Sequence, residues 1–177
     1  MDQDQEWIIN FKGGNQEAFD MLVKKHYSRA INIAYSLLNN MADAQDAAQE
    51  AFLSIYRKLN DFRMDASFST WVYRIVVNSS YDLMRKRRIK QVPLDDFLLE
   101  SIPVAEDKSD YLKKETVQAA LAKLPFEYRS AIVLREMEGL TYEEIAEALN
   151  INIGTVESRI FRARQMLKTI FLRKGVF

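Results

Sequence analysis

Residues 141–164 read TYEEIAEALNINIGTVESRIFRAR, and this stretch decides the fold of the last third of the chain. Thr141 with Glu144 three positions later forms a capping box, the pattern that begins a helix. Ile145 and Leu149 give this helix an apolar side. The next residues, 150–154, form a short turn that ends in glycine.

A second helix is predicted to begin at about Gly154 or Thr155. Its inner positions recur at helical spacing and are Val156, Ile160, Ala163, Leu167 and Ile170. Two short helices joined by a tight turn with glycine are typical of a helix-turn-helix, whose second helix places arginines in a DNA major groove. The alternative interpretation is an amphipathic helical hairpin with a solvated charged face.

The rest of the chain is also predicted to be helical. Of its 177 residues 48% are apolar, and there are only five glycines and three prolines. Residues that favour helices are abundant, and no strand pattern stands out. The periodicity predicts helices over 7–11, 15–38, 43–59, from a cap at Ser67 or Ser69 to about 86, 116–124 and 125–137. In the helix over 43–59, Asp43 is predicted to lie mostly outside. The expected fold class is therefore all-α.

Charge divides the chain into three parts, although the formal net charge is zero. Residues 1–90 carry a net charge of +2, residues 91–112 carry −5, and residues 113–177 carry +3. The acidic middle part contains Pro93 and Pro103 and lacks a helical pattern. These features predict two small helical domains, 1–90 and 113–177, joined by a flexible acidic linker over 91–112.

Several classes of site are not expected. The chain has no cysteine and one histidine, His26, which excludes disulfides, thiolate metal sites and a histidine cluster. His26 is predicted to be half-buried rather than a ligand. We expect no catalytic residue, metal, cofactor or small-molecule substrate. The acidic amino terminus and the lack of a long apolar run predict a soluble, cytoplasmic protein that does not insert into a membrane.

Five motifs resemble a known family. In the last third they are LPFEYR at 124–129, LREMEGLTYEEIA at 134–146 and GTVESRIFRAR at 154–164. In the first half they are DAAQEAF at 46–52 and FSTWVYRIVVN at 68–78. They resemble the fourth and second conserved regions of the extracytoplasmic-function (group 4) sigma factors, which belong to the sigma-70 family of bacterial RNA polymerase subunits. The resemblance implies a promoter-specificity subunit without catalysis of its own, with a sigma-2-like bundle and a sigma-4-like helix-turn-helix domain.

By this resemblance, the domain over 113–177 reads the −35 element as duplex DNA. The residues expected to contact bases or backbone are Arg135, Thr155, Glu157, Ser158, Arg159, Phe161, Arg162 and Arg164, with Arg159 and Arg164 on phosphates. Glu157 departs from the family, in which this position is often basic or neutral. Its carboxylate either accepts a hydrogen bond from cytosine N4 or complements the positive end of the helix.

The domain over 1–90 is implied to recognise and melt the −10 element. The expected contacts with the melted strand are Phe62, Trp71, Tyr73, Arg74 and Asn78, and Arg85, Arg87 and Arg88 are expected to hold phosphates. For Trp71 a core position is the stronger alternative, because its spacing with Phe68 and Ile75 places all three on one helix face.

The resemblance also implies protein partners. Asp46, Gln49, Glu50 and Leu53 are expected to bind the β′ clamp helices of core RNA polymerase, and the β flap is a second expected contact. An anti-sigma factor, often membrane-anchored in this family, is expected to hold the chain inactive. The acidic linker either threads the polymerase cleft or is a solvated tether.

Two rival functions remain open at this point. One is a stand-alone helix-turn-helix regulator that binds an operator duplex, with residues 1–90 used for dimerisation or sensing. The other is an enzyme or a helical bundle that only binds proteins.

Overall fold

The computed structural model describes residues 2–90 and 109–173, and these residues are helical with no strand among them. The amino-terminal bundle consists of α1 (Gln3–Lys12), α2 (Glu17–Leu38), α3 (Met41–Lys58), a 3-10 turn (Leu59–Asp61) and α4 (Phe68–Lys90). The carboxy-terminal bundle consists of α5 (Ser109–Ala122), α6 (Phe126–Glu136), α7 (Tyr142–Leu149) and α8 (Ile153–Arg173). The predicted all-α class is confirmed.

The amino-terminal bundle forms because α2, α3 and α4 each bury one apolar stripe against the other two. α3 contributes mostly alanines, Ala44, Ala47, Ala48 and Ala51, which let the neighbouring helices approach closely. Asn40 caps α3 by accepting from the Asp43 amide at 3.0 Å, and Ser67 caps α4 by accepting from the Thr70 amide at 3.1 Å. These caps fix where the two helices begin, and the α4 cap agrees with one of the two predicted serines.

α1 is longer than the sequence predicted and begins at Gln3 rather than Trp7. The Asp2 amide donates to Gln5 Oε1 at 3.3 Å, and Asp4 is buried. Asp4 holds α1 on α2, since its two carboxylate oxygens contact Lys25 Nζ at 2.8 Å and His26 Nε2 at 3.0 Å. The prediction that His26 is half-buried was wrong, because this pairing satisfies a buried imidazole.

In the carboxy-terminal bundle, α6 and α7 pack on the apolar stripe of α8. Gly139 has φ +70°, so it turns the chain from α6 into α7 in the left-handed region that glycine adopts without strain. α5 begins at Ser109, so residues 109–112, which the sequence assigned to the linker, are helical. The remainder of the predicted linker lies outside the described residues.

The two bundles pack against each other. α7 lies on α4, and both α5 and α6 lie on α2. Gln118 Nε2 on α5 donates to the Tyr35 carbonyl of α2 at 2.9 Å. The ring of Tyr81 on α4 meets the ring of Phe126 on α6 with 5.2 Å between centroids. The helices that carry the predicted −10 and −35 residues therefore belong to one packed unit.

Candidate nucleic-acid interface

The turn of the helix-turn-helix is fixed by local hydrogen bonds. Thr141 Oγ1 accepts from the Glu144 amide at 3.2 Å, and the Thr141 amide donates to Glu144 Oε2 at 2.8 Å, which confirms the capping box. α7 ends at Asn150, which adopts φ +53°. Asn152 Oδ1 then accepts from the amide and the hydroxyl of Thr155, each at 2.8 Å. These bonds set the angle at which α8 leaves the turn.

α8 presents one polar face to solvent. Val156, Ile160 and Ala163 are buried, whereas Phe161 is 63% exposed on the opposite side. The exposed residues that share its side of the helix include Ser158 and Arg162. A ring this open buries little of its surface within the chain, which leaves that surface available to a ligand.

The predicted −35 contacts are distributed around this face. Glu157 is exposed in the first turns of α8 and makes no ion pair among the described residues. Arg159 and Thr155 are half-buried at the edges of the face. Ser158 Oγ donates to the Thr155 carbonyl at 3.0 Å, which leaves its oxygen free to accept.

Two arginines of α8 are held by side chains of α6. Arg162 Nη1 donates to Tyr128 Oη at 3.1 Å. Arg164 binds Glu136 Oε1 through Nη2 at 2.6 Å and Nε at 3.3 Å. These partners raise the pKa of both arginines, mainly through the side-chain hydrogen bond to Tyr128 for Arg162 and to Glu136 for Arg164.

Arg135 occupies the end of α6. Its guanidinium lies over the Tyr142 ring at 5.2 Å and donates through Nη1 to the Leu140 carbonyl at 2.7 Å. The guanidinium of Arg135 therefore lies beside α7, and one of its N–H groups donates within the bundle.

α4 exposes two of the five residues predicted to contact the −10 strand. Arg74 and Asn78 are exposed one helical turn apart. Trp71 is partly buried and stacks on Phe62 with 4.6 Å between centroids, and Phe62 is itself buried. The Phe62 ring thus supports the Trp71 ring from inside the bundle.

Tyr73, the fifth residue, is only 3% exposed. It lies against Glu138 of the carboxy-terminal bundle, and burial, followed by the charge of Glu138, raises its pKa to about 12. In this arrangement its ring is closed to DNA. Glu138 is in turn paired with Arg29 of α2 at 2.6 Å. The sequence analysis had not singled out Arg29 or Glu138.

The basic run at the end of α4 is partly neutralised. Arg85 pairs with Asp82 at 3.5 Å, and Arg87 pairs with Asp43 at the start of α3. Asp43 had been predicted to lie mostly outside, but it is buried, because a guanidinium from α4 reaches across to it. The side chain of Arg88 lies outside the described residues.

A separate surface lies on the outer side of α3. Asp46, Gln49, Glu50 and Leu53 are all exposed there, and Leu53 is 45% exposed. Asp46, the adjacent pair Gln49 and Glu50, and Leu53 follow one another at steps of three or four residues, so they form a continuous stripe with an apolar end.

Two classes of site are absent from the part of the chain that the structure describes. No group of three His, Cys, Asp or Glu side chains could hold a metal ion there. No helix in that part is long and apolar enough to cross a membrane.

Comparison with known proteins adds to this geometry. The family model for Sigma-70 region 2 matches residues 22–89, and the model for Sigma-70, region 4 matches residues 114–167. The chain is 35% identical to the RNA polymerase sigma-H factor of Pseudomonas aeruginosa, over 94% of this chain and 92% of that protein. It is 34% identical to the ECF RNA polymerase sigma factor SigW of Bacillus subtilis, over 91% of this chain and 92% of that protein.

Two solved structures are also similar. CnrH, in complex with the cytosolic domain of CnrY, matches with a TM-score of 0.74 at 29% identity, over 96% of this chain and 97% of that one. The sigma factor RpoE of Bartonella quintana, in complex with the anti-sigma factor NepR, matches with a TM-score of 0.67 at 26% identity, over 86% and 96%.

Proposed function

Because this chain belongs to the extracytoplasmic-function group of the sigma-70 family and is a promoter-specificity subunit of RNA polymerase, we propose that α8 reads the −35 element and α4 the −10 element. The observation that carries the proposal is the exposed face of α8, where Phe161 and Arg162 are both open to solvent. Arginine binds guanine O6 and N7 in the major groove, and an aromatic ring can contact a thymine methyl. Arg135, Arg159 and Arg164 supply positive charge for phosphates around this face.

For the −10 element we propose that Asn78 and Arg74 contact the melted strand. Their exposure on one side of α4 supports this role. Asparagine offers both a donor and an acceptor to a base edge, and arginine can stack on a base or hold a phosphate. Trp71, backed by Phe62, offers an aromatic surface next to them. Tyr73 joins this set only if the carboxy-terminal bundle moves away.

Reading both elements requires the bundles to separate. The names of the two elements place them about 25 base pairs apart, which is about 85 Å along B-form DNA at about 3.4 Å per base pair. α4 and α7 are in contact here, so one straight promoter cannot meet both surfaces at once. We propose that the packed arrangement is the resting state and that core polymerase binds the separated one.

The outer stripe of α3, with Asp46, Gln49, Glu50 and Leu53, is proposed to bind the β′ clamp helices, and the carboxy-terminal bundle to bind the β flap. A stripe of acidic and amide groups that ends in an exposed leucine suits a protein contact. The chain would then act in the cytoplasm, without catalysis, cofactor or small-molecule substrate.

An anti-sigma factor is a further proposed partner. RpoE of Bartonella quintana is seen with its anti-sigma factor NepR, and this chain resembles RpoE across both bundles. A TM-score of 0.67 over most of the chain supports a similar packing of the two bundles. We propose that an anti-sigma factor stabilises the closed state. An anti-sigma factor that is membrane-anchored would also hold the chain at the inner surface of the membrane.

The function is tested by transcription with purified components. The full chain is added to core polymerase and a promoter library with random −35 and −10 segments, and transcripts are sequenced. We expect start sites that core polymerase alone ignores, each preceded by two preferred elements. A gel shift of the free chain tests the stand-alone regulator: tight, sequence-specific binding to a palindromic duplex without polymerase would favour that alternative.

A further inference from the structure

Arg162 is fully open to solvent, yet it has one defined partner. Its neighbour Ala163 is buried, and successive helix positions differ by about 100°, so Arg162 projects to one side of the core-facing stripe. On that side Tyr128 Oη accepts from Nη1 at 3.1 Å. No other hydrogen bond holds the Arg162 side chain among the described residues.

Tyr128 is positioned to anchor the Arg162 side chain. It lies in the first turn of α6, and its ring packs partly against the core of the carboxy-terminal bundle. A tyrosine ring has two side-chain torsions, whereas arginine loses more rotamer freedom than almost any other side chain when it is ordered. A hydroxyl anchored in this way therefore restricts the orientations that the guanidinium samples before DNA arrives.

The hydrogen bond leaves enough donors for a base. A guanidinium carries five N–H groups, and Tyr128 uses one of the two on Nη1. Four remain, and a bidentate contact with guanine O6 and N7 needs two. Resting on the proposed function of α8, we infer that Tyr128 is a positioning residue for promoter recognition: its hydroxyl holds the Arg162 guanidinium in the orientation that reads one guanine of the −35 element.

The neighbouring arginine provides a contrast. Arg164 projects to the other side of Ala163, where the Glu136 carboxylate neutralises it. An arginine held by a carboxylate is suited to exchange its partner for a phosphate, which carries no sequence information. Tyr128 is uncharged, so it orients Arg162 without competing for the positive charge.

The test measures base preference at every −35 position with the full chain in holoenzyme and the randomised library. Arg162→Ala first identifies the base pair that depends on this arginine, with an expected loss of discrimination of about 5- to 150-fold, the range for one bidentate contact. Tyr128→Phe keeps the ring and removes only the hydroxyl. We expect it to lower discrimination at the same base pair by about three- to tenfold and to leave the other positions unchanged.

Tyr27→Phe is the matched control, since Tyr27 is also a half-buried tyrosine and its hydroxyl makes no hydrogen bond among the described residues. We expect Tyr27→Phe to leave the base preference unchanged at every −35 position. In the Arg162→Ala background, Tyr128→Phe should add nothing, a non-additivity that a merely structural role would not produce.

The outcomes separate the two claims. If Arg162→Ala relaxes no −35 position, the proposed reading by α8 fails. If it relaxes one position and Tyr128→Phe does not, the inference about Tyr128 is overturned while the function stands. A uniform loss of affinity in Tyr128→Phe, equal for all sequences, would also overturn it, because the hydroxyl would then act on phosphate or on folding.

Discussion

Arg29 on α2 and Glu138, which follows α6, form an ion pair that joins the two bundles, with 2.6 Å between Nε and Oε2. The Glu138 side chain is 6% exposed, and the hydroxyl of Tyr73 on α4 lies against the same carboxylate. One buried carboxylate thus ties the carboxy-terminal bundle to two helices of the amino-terminal bundle. Its partners belong to the surface that we propose opens before both promoter elements are read.

Removing this carboxylate should favour the separated state. Glu138→Gln removes the charge of the pair, with an expected cost to the closed arrangement of about 1–3 kcal/mol. The chain has no cysteine, so dyes on Lys24→Cys and Lys168→Cys report the separation by energy transfer. We expect lower transfer in Glu138→Gln than in the parent. Arg57→Ala, an exposed arginine without an ion pair among the described residues, should leave transfer unchanged.

A charge exchange sharpens the same test. Arg29→Glu alone places two carboxylates together and should open the bundles further than Glu138→Gln. Combined with Glu138→Arg it restores opposite charges, and we expect transfer to recover in part. Equal energy transfer in all variants would mean that the Arg29–Glu138 ion pair does not hold the two bundles together.

Alkaline pH should weaken the closed arrangement through Tyr73. Its pKa is raised from 10.0 to about 12, mainly by burial, so the folded chain binds the phenolic proton more tightly than the unfolded chain does. Stability from this group is therefore complete below about pH 10 and is lost as the pH rises towards 12, by at most about 2–3 kcal/mol.

Urea unfolding at several pH values from roughly 9 to roughly 12 measures this loss of stability. The range covers the ordinary and the raised pKa of tyrosine. Tyr73→Phe should show a smaller decline than the parent over this range. Every other tyrosine is present in both proteins, so the difference isolates Tyr73. Identical declines would contradict a raised pKa at this position.

Arg129 should be the arginine whose loss costs most stability. Its guanidinium donates to the carbonyls of Leu37, Ala122 and Leu124 and so closes the ends of α2 and α5 together. Burial lowers its pKa, but the three carbonyls accept from Nη1 and Nη2 of the charged form, while Nε is buried without a hydrogen-bond partner among the described residues. We expect Arg129→Met to lower the free energy of unfolding by about 3 kcal/mol, with Arg129→Lys recovering only a part.

Urea or thermal unfolding measures this cost, with Arg57→Met as the control for removing an exposed arginine. The control should stay within about 0.5 kcal/mol of the parent. A similarly small effect of Arg129→Met would show that water replaces the guanidinium as the hydrogen-bond donor to the three carbonyls.

The capping box at Thr141 should contribute to the free energy of unfolding. Thr141→Ala removes the hydroxyl that accepts from the Glu144 amide and should cost about 1 kcal/mol. Thr169→Ala removes a hydroxyl that bonds within α8 to the Gln165 carbonyl, and should cost less. Denaturant unfolding distinguishes the two, and equal losses would argue against the cap.

Local rules explain what the sequence could predict. The capping box of α7, the turn before α8 and the buried stripe of α8 follow from residues within a few positions of one another, and all were found where they were expected. α1 was placed too short, because its start depends on Asp2 and on the burial of Asp4 against α2. Asp43 was assigned to the outside, because its partner Arg87 is far away in sequence.

The closed packing of the bundles was beyond sequence reasoning. Arg129 and Arg29 look like ordinary surface charges of their helices, and Glu138 looks like a surface charge of the turn after α6. Only the tertiary fold brings them to carbonyls or to each other. Tyr73 was predicted on the DNA side from its motif, and its burial depends on the other bundle. Which face of the helix is exposed could therefore be predicted for α8 from its periodicity, but less well for α4.

The most direct test of the account is the transcription of the random promoter library by core polymerase with the full chain, compared among the parent, Arg162→Ala and Asn78→Ala. We expect the parent to select two elements upstream of each start, Arg162→Ala to lose preference only in the upstream element, and Asn78→Ala only in the downstream one. If both substitutions leave both preferences intact, or if the chain directs no initiation, the account is contradicted.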